Sequence, residues 1–282
     1  MPSLSGFVVS FNREDLVETC LRSIRFVDEL IVFDKSSTDG TAQIAARYAD
    51  RVISVPWSPV VEETRAAAAA ACTHDRIVFL DDDECFSPEA IVYLNQEVRH
   101  GPYDLFDLPC RHYILGRHEE QAYYWPNRGV RAFKRGSMIF RSKVHDGQTK
   151  AADAKIAYPN PKSGICFHNL SHADAKTWVD KANRYTSLDD RVSTVSLDTT
   201  NLLEEARRSF DLWVGKCASQ ASEYEQAVIV LRAAYDMIDL VKLWEQRQPL
   251  GGTELFRRTC LEMSALYDEL EARTGLNTRR SA

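Results

Sequence analysis

Short apolar runs alternate with amphipathic stretches over the first hundred residues. Gly6-Phe7-Val8-Val9-Ser10-Phe11 predicts a buried strand. Asn12 stands as a cap for a helix from Arg13 to about Ile24, where Leu16, Cys20, Leu21 and Ile24 share a face. Leu30-Ile31-Val32-Phe33 predicts a second strand ending at Asp34. Turn-forming Lys35-Ser36-Ser37-Thr38-Asp39-Gly40 and a helix over 41–48 follow. Arg51 to Val55 is a third strand, and Pro56 and Pro59 punctuate the next loop. The alanine-rich stretch from Val61 to Cys72 is a strong helix former. A fourth strand, Arg76-Ile77-Val78-Phe79-Leu80, runs into four consecutive carboxylates, Asp81 to Glu84. Ser87 and Pro88 then mark a helix start. This alternation predicts a doubly wound, mostly parallel α/β sheet, with ligands at the carboxyl ends of its strands.

From Tyr103 the pattern turns to extended structure. Tyr123-Tyr124-Trp125-Pro126 reads as an aromatic loop. The runs 129–134 and 138–144 read as antiparallel strands turning at Gly136-Ser137. A helix is expected from Ala173 to about Asp190, then a polar linker over 193–200. Helices at about 202–218, 222–246 and 253–272 complete the chain. The divisions expected are an α/β half at 1–112, a small antiparallel portion at 113–190, and a helical C-terminal region at 191–282. In the helix around 227–244, Val228, Leu231, Tyr235, Ile238 and Val241 form an apolar stripe, with Arg232, Asp236, Asp239 and Lys242 off it. That mixed polar face differs from the cationic face of a membrane-surface helix. The tail is therefore expected to rest on the catalytic portion or on a second copy of the chain, so a homo-oligomer built through these helices is one expectation.

Composition narrows the function. With 282 residues the chain suits one large α/β domain with an appendage or two modest domains, and its formal charge of −6 with no basic block disfavours nucleic-acid binding. Seven scattered cysteines without CxxC spacing read as reduced core thiols. No stretch is long and apolar enough to span a bilayer. The location expected is cytoplasmic, with peripheral attachment to the inner membrane face as the variant. The carboxylate run at a strand end carries the chemistry. Clustered acids repel unless a cation neutralises them or one keeps its proton. Hard oxygen ligands of this kind suit Mg²⁺ or Mn²⁺, which in turn hold phosphate. A solvated acidic turn is the plain alternative.

Several segments, taken in order, resemble family 2 glycosyltransferases: Ser10-Phe11-Asn12-Arg13-Glu14 at the first strand, Asp34-Lys35-Ser36-Ser37-Thr38-Asp39-Gly40-Thr41 after the second, and Arg65 upstream of the fourth. Leu80-Asp81-Asp82-Asp83-Glu84 is similar to the family's DXD motif. Val144-His145-Asp146 is similar to a V-H-E element of lipopolysaccharide-core glucosyltransferase-like members. The chain departs from the pattern at Lys35-Ser36, at Ala66 and at Asp146, where the family has Ser-Gly, often Asn, and Glu. The resemblance implies a GT-A fold, a nucleotide-sugar donor, a divalent metal, inversion at the anomeric carbon, and a glycan or glycolipid acceptor. It casts Ser10, Asn12, Asp34, Arg65, Asp81 and Asp82 as donor-binding and Asp83 with His168 as metal ligands. Asp146 becomes the general base, with His145, Trp125 and Arg128 on the acceptor side. Plain structural roles stand beside these: a β-turn at Asp146-Gly147, a core His168, core aromatics, and a solvated Arg128. Two other functions stay open. One is a phosphohydrolase using Asp81 and Asp83; the other is a non-catalytic nucleotide-sugar-binding protein.

Overall fold

The computed structural model describes residues 3–59, 61–140, 148–188, 201–217 and 221–275. Strand β1 (Leu4–Ser10) is buried at every position, as a continuous apolar run requires. It pairs in parallel with β2 (Glu29–Asp34) on one side and β4 (Arg76–Asp81) on the other, and β3 (Arg51–Ser54) extends β2. The register sets Ser10 beside Asp34 and Val9 beside Asp81, so three strands deliver their last residues to one rim. Helices α1 (Val17–Ile24), α2 (Thr41–Ala45) and α4 (Pro88–His100) enclose one apolar cluster that includes Leu21, Ile24, Val8, Leu80 and Leu94. Helix α3 (Glu62–Ala71) covers the opposite cluster through Ala68 and Ala69, against stacked Phe7 and Phe79 with ring centroids 5.2 Å apart. Two faces, each with its own helices, make the sheet doubly wound.

Beyond β4 the same sheet continues. Its order is β3-β2-β1-β4-β7-β6-β11-β5, where β5 is Glu84–Phe86, β6 Leu105–Ile114, β7 Asn127–Lys134 and β11 Phe167–His172. The short β10 (Ile156–Ala157) pairs in parallel with β6. The expected hairpin at Gly136-Ser137 does not form. Strand β7 inserts antiparallel between β4 and β6, while β8 (Met138–Phe140) pairs with β9 (Gln148–Lys150) in a separate ribbon. Arg135 bonds to the carbonyls of Ala69, Cys72 and His74, which fixes the chain after β7 to the end of α3. The carboxylate run likewise does not stay a loop. It turns at Asp82-Asp83 and re-enters the sheet as β5, antiparallel to β11. Ser87 caps α4, its hydroxyl accepting from the Ala90 N–H at 3.0 Å.

Helix α1 starts at Val17 without a side-chain cap. Asn12 sits at φ 49° and turns its side chain to Thr38, accepting that residue's N–H at 2.8 Å. It staples two loops together and does not cap the helix. The C-terminal region has α5 (Ala175–Thr186), α6 (Leu202–Gly215), α7 (Glu223–Gln246) and α8 (Gly252–Thr274). Helix α7 docks on the end of β6, where Tyr224 Oη lies 2.8 Å from Ile114 O and 2.7 Å from Arg117 O. Its buried face is rotated from the expected stripe. Val228 and Tyr235 are buried, but so are Asp236 and Asp239, while Val241 is exposed. Asp236 accepts from Ser209 Oγ and Trp213 Nε1 of α6, both at 2.6 Å, which satisfies a charge that periodicity assigned to solvent. Helix α8 has no buried residue. No described helix is long and apolar enough to cross a membrane.

Candidate active site

The rim built by β1, β2 and β4 opens into a crevice of about 250 Å³. Its lining includes Ser10, Arg13, Lys35, Arg65, Asp81, Asp82 and Asp83, closed from the far side by Lys181, Arg184 and Tyr185 of α5. The sequence expectation placed Ser10, Arg65 and the three aspartates together, and they do meet here. Each carboxylate has its own environment. Asp81 is gripped by Arg65, whose Nε lies 3.2 Å from Oδ1 and whose Nη2 bonds Oδ2. Burial would raise its pKa, but the Arg65 guanidinium overrides that and holds the carboxyl below the ordinary range. Asp82 accepts from the Phe11 N–H at 2.9 Å and Ser10 Oγ at 3.1 Å. Burial, then the neighbouring Asp83 charge, push its carboxyl up to about 7. Asp83 Oδ2 lies 3.1 Å from Lys181 Nζ and 3.7 Å from Arg13 Nη2. Glu84 points the other way, into an ion pair with Arg131 that is itself stacked over Phe167 at 4.1 Å.

Like charges this close are relieved by a cation. Mg²⁺ and Mn²⁺ sites commonly take one or two protein carboxylates and complete the shell with phosphate oxygens and water. Asp83, with Asp82 beside it, fits that pattern. Among the described residues no three His, Cys, Asp or Glu side chains surround one point, so an all-protein cage is not what this rim offers. Arg13 and Lys181 add the positive charge that a diphosphate needs next to carboxylates.

Other expected residues fall elsewhere. Asp34 is buried at the end of β2. Its Oδ2 accepts from the Ser37 N–H at 3.1 Å, while its Oδ1 has no donor among the described residues. Asn12 is occupied with Thr38 and does not line the crevice. His168 is turned away from the carboxylates. Strand alternation sends its neighbours Phe167 and Asn169 to the Arg131–Glu84 pair and His168 to the opposite face, with Nδ1 3.1 Å from Tyr113 Oη. Trp125 and Arg128 line two neighbouring cavities, Arg128 bonding the carbonyls of Asp107 and Pro159. His145 and Asp146 lie outside the described residues.

Arg13, Lys181 and Arg184 join the site without having been expected from the sequence pattern. Arg13 stands inside a segment already matched to a motif, so its position was available. Lys181 and Arg184 lie one turn apart on an ordinary helix nearly a hundred residues after Asp83, and nothing local marks them.

The family model described as glycosyl transferase family 2 matches residues 5–152. An uncharacterized glycosyltransferase of Rickettsia typhi is 27% identical over 199 residues, covering 66% of this chain and 66% of that protein. The lipopolysaccharide core biosynthesis glycosyltransferase LpsC of Rhizobium meliloti is 26% identical over 194 residues, covering 66% and 69%. The chain thus spans about two thirds of the length of such relatives. Glucosyl-3-phosphoglycerate synthase from Mycobacterium tuberculosis, in a crystal with Mn²⁺, uridine diphosphate and glucosyl-3-phosphoglycerate, is 29% identical. That match covers 39% of this chain and 44% of that one, with a TM-score of 0.33.

Proposed function

The chain belongs to glycosyl transferase family 2, and from that premise we propose that it moves a sugar from a nucleotide-sugar donor to a hydroxyl of a glycan or glycolipid acceptor, with inversion. The observation that carries the reading is the crevice at the ends of β1, β2 and β4, where Asp82 and Asp83 face Arg13 and Lys181 beside the Arg65–Asp81 pair. Carboxylates alone repel a diphosphate and cations alone need no carboxylates. The two together suit a diphosphate held beside a divalent cation.

Arg13 and Lys181 bind the diphosphate and keep it oriented as the bond to the sugar lengthens. Arg65 fixes the Asp81 carboxylate as a hydrogen-bond acceptor for a hydroxyl of ribose or sugar. Asp34 Oδ1, buried at the rim with no donor among the described residues, is the proposed acceptor for an N–H of the nucleobase or a ribose hydroxyl. Asp83, with Asp82, would hold Mg²⁺ or Mn²⁺, which when bound would supply charge neutralisation for the diphosphate. Asp146 remains the proposed base that takes the acceptor proton on the face opposite the leaving group. The proposed setting is the cytoplasm, with peripheral contact to the inner membrane face where the acceptor is a glycolipid.

The phosphohydrolase reading needs Asp81 as a nucleophile, and Arg65 clamps both of its oxygens. The test is thermal stabilisation of the full chain by uridine, guanosine and adenosine diphosphates with and without Mn²⁺, followed by mass spectrometry of a nucleotide-sugar panel. Metal-dependent stabilisation with release of sugar from one donor supports the proposal. Phosphate release from monoesters without donor turnover sinks it.

A further inference from the structure

Three cavities run in series from the crevice. The second shares Glu62, Arg65 and Asp81 with it and extends along β6 and β7 to His112 and Asn127. Those two residues also line a third cavity, of about 510 Å³, walled by Tyr123, Trp125, Trp178 and Trp213. This third chamber is built by the end of β6, the aromatic loop, and helices α5, α6 and α7. Its far wall therefore comes from residues beyond 152, where the family model ends.

The chamber's chemistry is unlike the crevice's. In a chain of charge −6, no carboxylate lines it. His112 and His172 are both kept neutral: burial first, then Arg131 and Lys181 respectively, lower them to about 4 and about 3. Arg232 of α7 is the one permanent cation among the lining residues. Its guanidinium lies over the rings of Trp213, Tyr235 and Trp178, at 4.9, 5.3 and 5.7 Å from their centroids. It makes no hydrogen bond or ion pair with any described residue, so its contacts are with ring faces and its N–H edges remain to be used. Trp178 is 6% exposed, and its indole N–H has no acceptor among the described residues. A half-buried guanidinium and a buried indole N–H, both unspent, in a chamber of aromatic faces, call for an anion attached to a ring that stacks.

We propose that this chamber binds the acceptor, and that the acceptor is an anionic sugar whose phosphate or carboxylate group is held by Arg232 and the Trp178 indole N–H. The sugar ring stacks on the aromatic walls, Asn127 and neutral His112 meet its hydroxyls, and the attacking hydroxyl extends through the middle cavity toward Asp81. Arg232, which lines the chamber and not the crevice, is then a specificity residue for the acceptor. This inference rests on the transferase reading above.

The test uses the full chain and intrinsic tryptophan fluorescence, since Trp125, Trp178 and Trp213 line the chamber. Glucose 6-phosphate, glucuronate and glucose are titrated in the presence of Mn²⁺ and the nucleoside diphosphate that stabilises the protein. Saturable quenching by one or both anionic sugars, at least about tenfold tighter than by glucose, is expected. Whichever binds tighter identifies phosphate or carboxylate as the recognised group. R232Q should erase that preference and R232K restore part of it, while nucleoside diphosphate still stabilises both variants. Equal binding of charged and neutral sugars by the unaltered protein, or no binding, overturns the proposal without any variant having to fold. Preserved preference in R232Q also overturns it. Loss of nucleoside diphosphate binding by the unaltered protein instead points to failure of the transferase reading.

Discussion

The crevice and the aromatic chamber, linked through the lining residues they share with the cavity between them, differ in chemistry. The crevice crowds three aspartates against Arg13, Lys181 and Arg65, and its residues act by charge. The chamber has rings, neutral histidines and a single guanidinium, and offers ring faces in place of paired charges. The first is built largely by strand ends that the sheet register holds in line, so its geometry is inherited from backbone hydrogen bonding. The second is assembled by side chains from separate helices and a loop, so it depends on how those helices dock. A rigid charged end suits a donor whose diphosphate varies little. An aromatic end with one guanidinium suits the proposed anionic acceptor.

The sharpest way to break this division is at Asp83. D83A should lower sugar transfer by a factor on the order of 10³, because the cation that would neutralise the diphosphate loses its ligand. Metal-dependent stabilisation by nucleoside diphosphate should vanish with it. Sugar-induced fluorescence quenching in the chamber should be unchanged, and the melting temperature should stay near the starting value. Full activity of D83A, or of the unaltered protein in EDTA, would remove the metal-assisted mechanism.

Next in size is the proposed base. D146N keeps shape and removes the proton acceptor, so transfer should fall by about 10² or more at saturating donor. Donor affinity, measured by calorimetry, should move little. Weak donor binding with normal turnover at saturation would put Asp146 on the donor side of the groove.

The same division explains what the sequence disclosed. The parallel half is legible because β1, β2 and β4 are contiguous apolar runs, two of them closed by Asp34 and Asp81. Periodicity alone thus brings Ser10, Asp34 and Asp81 to one rim, and the strand register agrees. Arg65 is legible only through the family resemblance. The chamber is not legible, because Arg232 and Trp213 look like ordinary helix residues until α6 and α7 are docked. His168 misleads for a related reason: a histidine on a strand after the carboxylates looks like a ligand, but strand alternation decides which face it serves, and β11 turns it to Tyr113. On α7 the apolar stripe gives the wrong rotation because buried Asp236 is satisfied by Ser209 and Trp213, partners in a helix that sequence pattern cannot position.

The crowding of the crevice has a signature in stability. Asp82 rises from an ordinary 3.8 to about 7, through burial and then Asp83. A carboxyl whose folded pKa is raised binds its proton more tightly in the folded state. Its contribution is therefore fully present below about pH 4 and is lost as pH climbs through 7. D82N removes that titration. Relative to the unaltered protein, D82N should gain about 1–3 kcal/mol between pH 5 and pH 8 in metal-free urea unfolding. A pH-independent difference would mean that neither burial nor Asp83 raises the Asp82 carboxyl.

The smallest expected effect lies at the seam between the two regions. Tyr224 of α7 places its hydroxyl between Ile114 O and Arg117 O at the end of β6, and 3.0 Å from Tyr124 Oη of the aromatic loop. Y224F keeps the ring in its apolar surroundings and deletes only that hydroxyl. Both carbonyls keep a backbone donor, Ile114 O from the Arg117 N–H at 3.1 Å and Arg117 O from the Ile114 N–H at 2.9 Å, so the substitution removes the hydroxyl's own bonds without leaving either carbonyl empty. The cost should be about 1 kcal/mol in urea unfolding, the usual size for one buried neutral hydrogen bond. Because the seam joins the chamber to the sheet and not to the crevice, nucleoside diphosphate affinity should be unchanged. Binding of anionic sugar should weaken by a small factor as α7 and its Arg232 lose their anchor. If Y224F weakens the nucleotide and leaves the sugar alone, helix docking supports the donor end of the groove instead, and the division between a sheet-built donor site and a helix-built acceptor site fails.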